Sequence, residues 1–294
     1  NYNLVSVGNI SAPLCTQNQT GTVVVTVFPF PVASITGTTT ICLNSASPNI
    51  SFTGVTGTAP FTFTYNINGG PNQTISTTVG NSVNLSVPTN TAGTFIYNLL
   101  SVQDGTSVAC SQVQTGSSTV IVKDLPTATI AGTTNVCLNA ATPSITFTGT
   151  LGVAPYSFTY NINGGPNQII TTTAGNSVTL AVPTNASGTF IYNLVSVIEG
   201  SANTCTQLQS GSSTVVVNPL PTAGIAGSTS VCLNGIAPTI TFTGATSSAP
   251  YSFTYNINGG ANQIVTTTVG NSVTITAPTN ATGVFNYNLV SVKD

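Results

Sequence analysis

The sequence predicts an all-β chain of tandem two-sheet sandwich domains arranged end to end as a rod, and three observations carry that prediction. The strand Tyr-Asn-Leu-Val-Ser-Val stands at residues 2–7, 192–197 and 287–292, with a close copy, YNLLSV, at 97–102, so the interval is 95 residues each time. Self-similarity at a fixed long period is the signature of a repeat architecture. Between copies, apolar and polar residues alternate with period two, and no segment sustains a helical period. Turn residues interrupt the alternation at roughly 8–12-residue spacing, as in an all-β sandwich. Ninety-five residues suit one small β domain, so 294 residues hold about three. The chain opens in one copy of the strand and closes in another, which reads as a window on a longer array.

The elements follow in order. Residues 1–28 read as the tail of a preceding repeat, with YNLVSV its penultimate strand and Thr22–Val27 (TVVVTV) its last. A Pro-rich joint follows at Phe28–Ala33, with counterparts at Asp124–Ala128 and Pro219–Ala223. Pro fixes φ, so such short joints limit bending. Repeats at 29–123, 124–218 and 219–294 result, the last without its closing strand. In the first of these, Ile50–Thr53 alternates, and Phe61–Ile67 puts Phe61, Phe63, Tyr65 and Ile67 on one face. Asn68-Gly69 then marks a tight hairpin turn, repeated at Asn163-Gly164 and Asn258-Gly259. Thr74–Thr78 returns from the turn, Gly80-Asn81 leads into Val83–Val87, and Pro88–Gly93 leads into Thr94–Val102. Thr119–Val122 closes the repeat. About seven short strands of this kind describe an immunoglobulin-like sandwich. Within the YNLLSV strand, the apolar phase shifts from Phe95, Tyr97 and Leu99 to Leu100 and Val102, which suggests a β-bulge.

Composition narrows the function. Charged residues make up 2% of the chain, against about 25% in ordinary domains: Lys123 and Lys293 face Asp104, Asp124, Glu199 and Asp294. No basic patch exists for nucleic acid or anionic lipid. With 40% hydrophobic residues and abundant β-branched ones, the chain is not of the disordered class, and its apolar runs, such as Val215–Val217, are far too short for a membrane-spanning helix. The six cysteines form two series on the same period, Cys15, Cys110, Cys205 and Cys42, Cys137, Cys232. Without CxxC or histidine they read as disulfide formers in an oxidising, extracellular setting.

The joint PTA, the segment CLN, APYSFTYNINGG, TNASGTF and YNLVSV together resemble the polycystic-kidney-disease-like and related immunoglobulin-like repeats of very large surface adhesins of gliding Bacteroidota. The YNINGG turns at 65–70, 160–165 and 255–260 stand where such repeats end an aromatic strand in an Asn/Asp-Gly turn. The resemblance covers the whole chain. It implies type IX secretion, attachment outside the outer membrane and a role in adhesion and gliding motility.

Catalytic chemistry finds no footing. There is no histidine, and the four carboxylates read as scattered over non-repeating or loop positions. Calcium takes six to eight oxygens, usually several from carboxylates, so no metal or other cofactor is expected. An isopeptide staple would need a lysine in every repeat, and only Lys123 and Lys293 exist. The N-x-S/T matches at Asn49, Asn72 and Asn185 are unremarkable in so polar a chain. The threonine rows Thr62 and Thr64, Thr171–Thr173 and Thr266–Thr268 read as solvent-facing strand positions before an ice- or glycan-binding surface. Tyr65, Tyr160 and Tyr255 alternate in phase with Phe and read as core.

The disulfide pairing stays open. Sequence-adjacent pairs such as Cys15–Cys42 are excluded, because two strands laid end to end separate them by roughly 75 Å. Pairing within a repeat, Cys42–Cys110 and Cys137–Cys205, with Cys15 and Cys232 left over, is what the family resemblance implies. Sandwich topology offers the other option, Cys42 to Cys205 of the next repeat. The expected function is a non-enzymatic structural and adhesive stalk at the cell surface. Its partners are neighbouring repeats of the same chain and surface polysaccharide or abiotic surfaces, with no membrane insertion. The alternatives are a spacer or carbohydrate-binding region of a secreted polysaccharide hydrolase, or the subunit of an extracellular fibre.

Overall fold

The computed structural model describes residues 1–294. Every regular element is a strand, so no helix is long enough to cross a membrane. Contacts divide the chain into two compact units, residues 1–125 with 202–205, and residues 126–201 with 206–294.

The first unit begins with an exposed hairpin of β1 (Tyr2–Gly8) and β2 (Thr16–Val23). The period 29–123 then supplies β3 (Val32–Thr36), β4 (Thr39–Cys42), β5 (Asn49–Thr56), β6 (Thr62–Ile67), β7 (Gln73–Ser76), β8 (Ser82–Ser86), β9 (Gly93–Gln103), β10 (Ser111–Val113) and β11 (Ser117–Lys123). One sheet has the order β3-β5-β8, the other β4-β11-β9-β6-β7, with β10 added to β9. All pairs are antiparallel except β4 with β11. This order is that of an immunoglobulin-like sandwich whose first strand switches sheets. The switch splits one strand in two and β10 adds another, so nine strands stand where the sequence pattern suggested about seven. Gly37 causes it: its φ is +120°, and a Cβ there would meet the Asn49 carbonyl oxygen at 2.4 Å.

The alternating residues meet between the sheets. Ile50, Phe52, Phe61, Phe63, Tyr65, Tyr97, Leu99, Val102, Val120 and Val122 are buried. Phe52 and Phe63 stack at 5.7 Å between ring centroids, and Phe61 and Phe63 at 6.2 Å, within the range in which aromatic pairs add to burial. The Phe61 ring lies over Gly54, where a Cβ would approach it to 2.5 Å. The bulge expected in the YNLLSV strand is present. Tyr65 faces Leu99 and Thr64 faces Ser101, so Leu100 is the extra residue and Val102 turns into the core.

The second unit repeats this plan. Its first period supplies β12 (Thr127–Ala131), β13 (Thr134–Cys137), β14 (Ser144–Thr150), β15 (Ser157–Ile162), β16 (Gln168–Thr171), β17 (Ser177–Ala181), β18 (Gly188–Ile198), β19 (Thr206–Leu208) and β20 (Ser212–Asn218). Strand orders are β12-β14-β17 and β13-β20-β18-β15-β16. The last period has only β21 (Thr222–Ala226), β22 (Thr239–Ala245), β23 (Ser252–Ile257), β24 (Gln263–Thr266), β25 (Ser272–Thr276) and β26 (Tyr287–Lys293). Residues 229–232 and 283–286 form no strand, although their counterparts in the two preceding periods do. The segment read as a closing strand at Thr22–Val27 is corrected in the same sense. Strand β2 stops at Val23, because residues 24–27 have no neighbouring strand to pair with.

Candidate functional site

Two features recur with the 95-residue period: cysteines, and a carboxylate. Cys42 closes β4 opposite Lys123, the last residue of β11. It is bonded to Cys205, 163 residues on, with 5.6 Å between the Cα atoms, inside the range a disulfide spans. Cys205 lies in the connection between β18 and β19, where residues 202–205 belong to the first compact unit. Lys123 Nζ donates to the Asn203 carbonyl oxygen at 3.4 Å beside the bridge. In the chain-entropy account, closing a loop of this length stabilises by roughly 5 kcal/mol.

The pairing Cys42–Cys110, implied by the family resemblance, is overturned. Val122, one residue before the partner of Cys42, faces Gly93, whereas Ser111, beside Cys110, faces Gln103. Cys42 and Cys110 therefore lie at opposite ends of β9, whose eleven residues span roughly 35 Å. By the same token Cys137 is not bonded to Cys205. Cys15, Cys137 and Cys232 are exposed and free, and Cys110 is half-buried and free.

The carboxylates are not scattered. Asp104, Glu199 and Asp294 stand 95 residues apart, at one position of the period. The spacing was legible in the sequence, though Glu in one copy and Asp in the others disguised it. Asp104 and Glu199 are 4% and 2% exposed. Asp104 Oδ1 accepts from the Thr106 hydroxyl at 2.7 Å and the Thr106 amide at 3.3 Å, while Oδ2 is buried without a partner. Burial pushes the Asp104 carboxyl up. Hydrogen bonds at Thr106, Thr58 and Cys110 outweigh that and hold it below the ordinary carboxylate range. Glu199 Oε2 accepts from the Val153 and Ser201 amides at 3.3 and 3.1 Å, and Oε1 accepts from the Ser201 hydroxyl. Asp294 accepts from the Ser247 hydroxyl. Asp104 and Glu199 thus shape the start of the loop that carries Cys110 or Cys205. No three of His, Cys, Asp and Glu come together in space.

At the other end of the sheet, the Asn-Gly turns have left-handed backbone at both central residues, φ +52° and +73° at Asn68 and Gly69. The Gly70 amide donates to the Ile67 carbonyl at 2.9 Å to close the turn. The Asn68 side chain extends the ladder, accepting from the Ile96 amide at 2.7 Å and donating to the Thr94 carbonyl at 3.1 Å. Asn163-Gly164 and Asn258-Gly259 repeat the geometry, with 52° and 73°, and 54° and 75°. The asparagines therefore hold the start of β9 and its counterparts.

Tyr65, Tyr160 and Tyr255 are buried, 4–6% exposed, and serve the core. Burial pushes the Tyr65 and Tyr160 phenols up. Thr62 shares a hydroxyl–hydroxyl hydrogen bond with Ser76 at 2.8 Å across β6 and β7. Such pairs knit the solvent-facing rows together. Thr77, Thr172 and Thr267 are buried, each accepting from the amide of an aromatic residue: Phe61, Tyr156 and Tyr251 respectively.

No family model and no curated protein matches the sequence. Among solved structures, the chain is similar to a Ca2+-stabilised adhesin with which an Antarctic bacterium binds ice. The identity is 18%, the TM-score 0.45, and the match covers 94% of this chain and 73% of that one. A 1.5-MDa bacterial ice-binding adhesin, solved for insight into its host cell surface retention, matches at 14% identity and TM-score 0.38, covering 86% of this chain and 89% of that one. Invasin, a bacterial integrin-binding protein, matches at 14% identity and TM-score 0.37, covering 89% and 56%. At such scores the assignment of the fold rests on the strand order and register described above.

Proposed function

We propose that the chain is a non-enzymatic stalk segment of a large secreted cell-surface adhesin, built from immunoglobulin-like repeats with boundaries near residues 29, 124 and 219. The observation that carries this reading is the Cys42–Cys205 bridge, which joins two successive 95-residue periods. A bridge inside one domain stabilises that domain, whereas a bridge between successive periods transmits load past the joint. The near-absence of charge supports the same reading, since a stalk with 2% charged residues is almost indifferent to ionic strength. The sequence resemblance supports a surface polysaccharide or an abiotic surface as the target, the extracellular face of the outer membrane as the location, and gliding motility as the setting.

Single-molecule stretching tests the reading. Pulled from its two ends, the oxidised chain extends by 163 fewer residues than the reduced chain, because the segment between the sulfurs stays closed. Equal extension with and without reductant contradicts it.

A further inference from the structure

Four Asn-Gly pairs occur in the chain: Asn68-Gly69, Asn163-Gly164, Asn258-Gly259 and Asn234-Gly235. This dipeptide is prone to deamidation. The glycine amide nitrogen bonds to the asparagine Cγ, the Cγ–Nδ2 bond breaks, and ammonia leaves with the amide proton as a five-membered succinimide closes. Water then opens the ring at either carbonyl, giving aspartate or its isomer linked through the side chain. Glycine favours the reaction because no Cβ hinders its amide or the rotation that ring closure needs. All four asparagines are exposed, so solvent access does not separate them.

Hydrogen bonding does. At the three hairpin turns both ends of the carboxamide are tied to the neighbouring chain. Asn163 Oδ1 accepts from the Ile191 amide at 2.8 Å, and its Nδ2 donates to the Thr189 carbonyl at 3.1 Å. Asn258 makes the same bonds to Asn286 and Val284, at 2.8 and 3.1 Å, as Asn68 does to Ile96 and Thr94. The nucleophile is held as well. The Gly69, Gly164 and Gly259 amides donate to Oδ1 of Asn66, Asn161 and Asn256, at 3.2, 3.0 and 3.0 Å. Those carboxamides are fixed in turn by Nδ2 of Asn98, Asn193 and Asn288, at 2.9, 3.0 and 3.0 Å. Neither reacting group can turn toward the other without first giving up these bonds.

Asn234-Gly235 stands in a different turn, just after Cys232. The backbone is left-handed at Asn234, φ +58°, as at its counterparts Asn44 and Asn139, φ +60° and +62°. The Asn234 amide donates to the Thr279 carbonyl at 2.9 Å, and the Asn44 and Asn139 amides donate to Thr89 and Thr184 at 2.8 Å. The turn is therefore the same in all three periods, and the Gly235 amide closes it on the Cys232 carbonyl at 2.9 Å. The Asn234 carboxamide, by contrast, makes no hydrogen bond. After the asparagine the first two periods have Ser45 and Ala140, whose side chains crowd the amide nitrogen. The third combines a free carboxamide with a glycine.

We propose that Asn234 is a spontaneous modification site, converting to aspartate and isoaspartate in the folded protein, and that the paired asparagines of the hairpin turns keep Asn68, Asn163 and Asn258 intact. The reaction needs only water. One neutral amide becomes one carboxylate, which takes the formal net charge from −2 to −3. The isomer also adds a methylene to the main chain of a turn that the Thr279 hydroxyl holds, through its bond to the Gly235 carbonyl at 2.9 Å. At the hairpin turns two side-chain hydrogen bonds must break first, which slows the reaction there by about tenfold or more.

The test uses the 294-residue chain, incubated folded in mildly alkaline buffer. Timed samples are digested with pepsin in acid, where succinimide formation is slow, and tandem mass spectrometry follows each site. Asn234 is expected to react about tenfold or more faster than Asn68, Asn163 and Asn258. In denaturant the four should react at similar rates. Ala140→Gly should make Asn139 react as Asn234 does, and Gly235→Ala should silence Asn234. Each of these gives the turn a residue that another period already carries. Asn66→Ala should speed the reaction at Asn68 while Asn163 and Asn258 stay slow. Equal rates at the four sites of the folded chain, the folded-state ranking persisting in denaturant, an inert Asn139 in Ala140→Gly, or an Asn68 as slow as Asn163 in Asn66→Ala would each overturn the proposal.

Discussion

The second and third periods share most of their sequence, yet the third has no counterparts of β13, β19 and β20, and the same YNLVSV strand is packed differently in the two. In the second, β20 lies between β13 and β18, and Tyr192, Leu194 and Val197 are 3%, 4% and 0% exposed. In the third, Tyr287, Leu289 and Val292 occupy the same positions of the same YNLVSV sequence and are only half-buried. Residues 229–232 no longer form a strand, and the residues before Tyr287 leave the sheet. Yet the rest is unchanged. Phe147 and Phe158 stack at 5.7 Å, as do Phe242 and Phe253, and the Asn258 side chain still accepts from the Asn286 amide at 2.8 Å. The strands β21 to β25 thus keep their arrangement with β26 unpaired on one side, whereas residues 229–232 and 283–286 do not.

The strongest way to break that comparison is to remove β20 by mutation. Val215→Asp places a carboxylate at a fully buried position of β20. Its cost should exceed about 4 kcal/mol, the range reached when an unpaired charge is buried. Hydrogen exchange should then show the amides of 134–137 and 188–191 falling to the protection of 229–232 and 283–286, while β15 keeps its own. Loss of protection throughout the second period would mean that these residues and the rest of the period are one cooperative unit.

A smaller effect sharpens the comparison from the side of pH. Burial, with Tyr160 second, pushes the Tyr192 phenol up, and burial, with Tyr255 second, does the same for Tyr287. The folded state holds these phenols protonated while the unfolded chain ionises near pH 10. Their contribution is therefore complete below that pH and lost as pH rises through the folded values. Difference titrations of Tyr192→Phe and Tyr287→Phe should show Tyr287, the more exposed, ionising first. The reverse order would mean that Tyr287 is the more buried of the two in solution. Asp104 behaves oppositely. Its carboxyl is held low, so its contribution is present above the ordinary carboxylate range and lost as pH falls through the folded value.

The elements common to all three periods were also the most legible in the sequence. Alternation over 61–67, the Asn-Gly turns and the phase slip at Leu100 each follow from local chemistry, and each appears where the residues placed it. The split of the first strand at Gly37 was not legible, because a side chain there is excluded by a carbonyl twelve positions away in the chain, that of Asn49. Nor was the shared role of Asp104 and Glu199, since burial and hydrogen bonds to the following loop, rather than residue type, unite them. The disulfide was legible only as one of two options. Sheet topology decides it, because the parallel pairing of β4 with β11 puts Cys42 at the end of the sheet opposite Cys110.

That bridge is also the point at which the account is most exposed. Cleavage of the unreduced chain after Tyr, Phe and Leu, followed by mass spectrometry, identifies which peptide Cys42 holds. The account predicts a linked pair containing Cys42 and Cys205, separated by 163 residues and sensitive to reductant. A linked pair containing Cys42 and Cys110 would contradict it, and with it the proposal that successive repeats are covalently coupled.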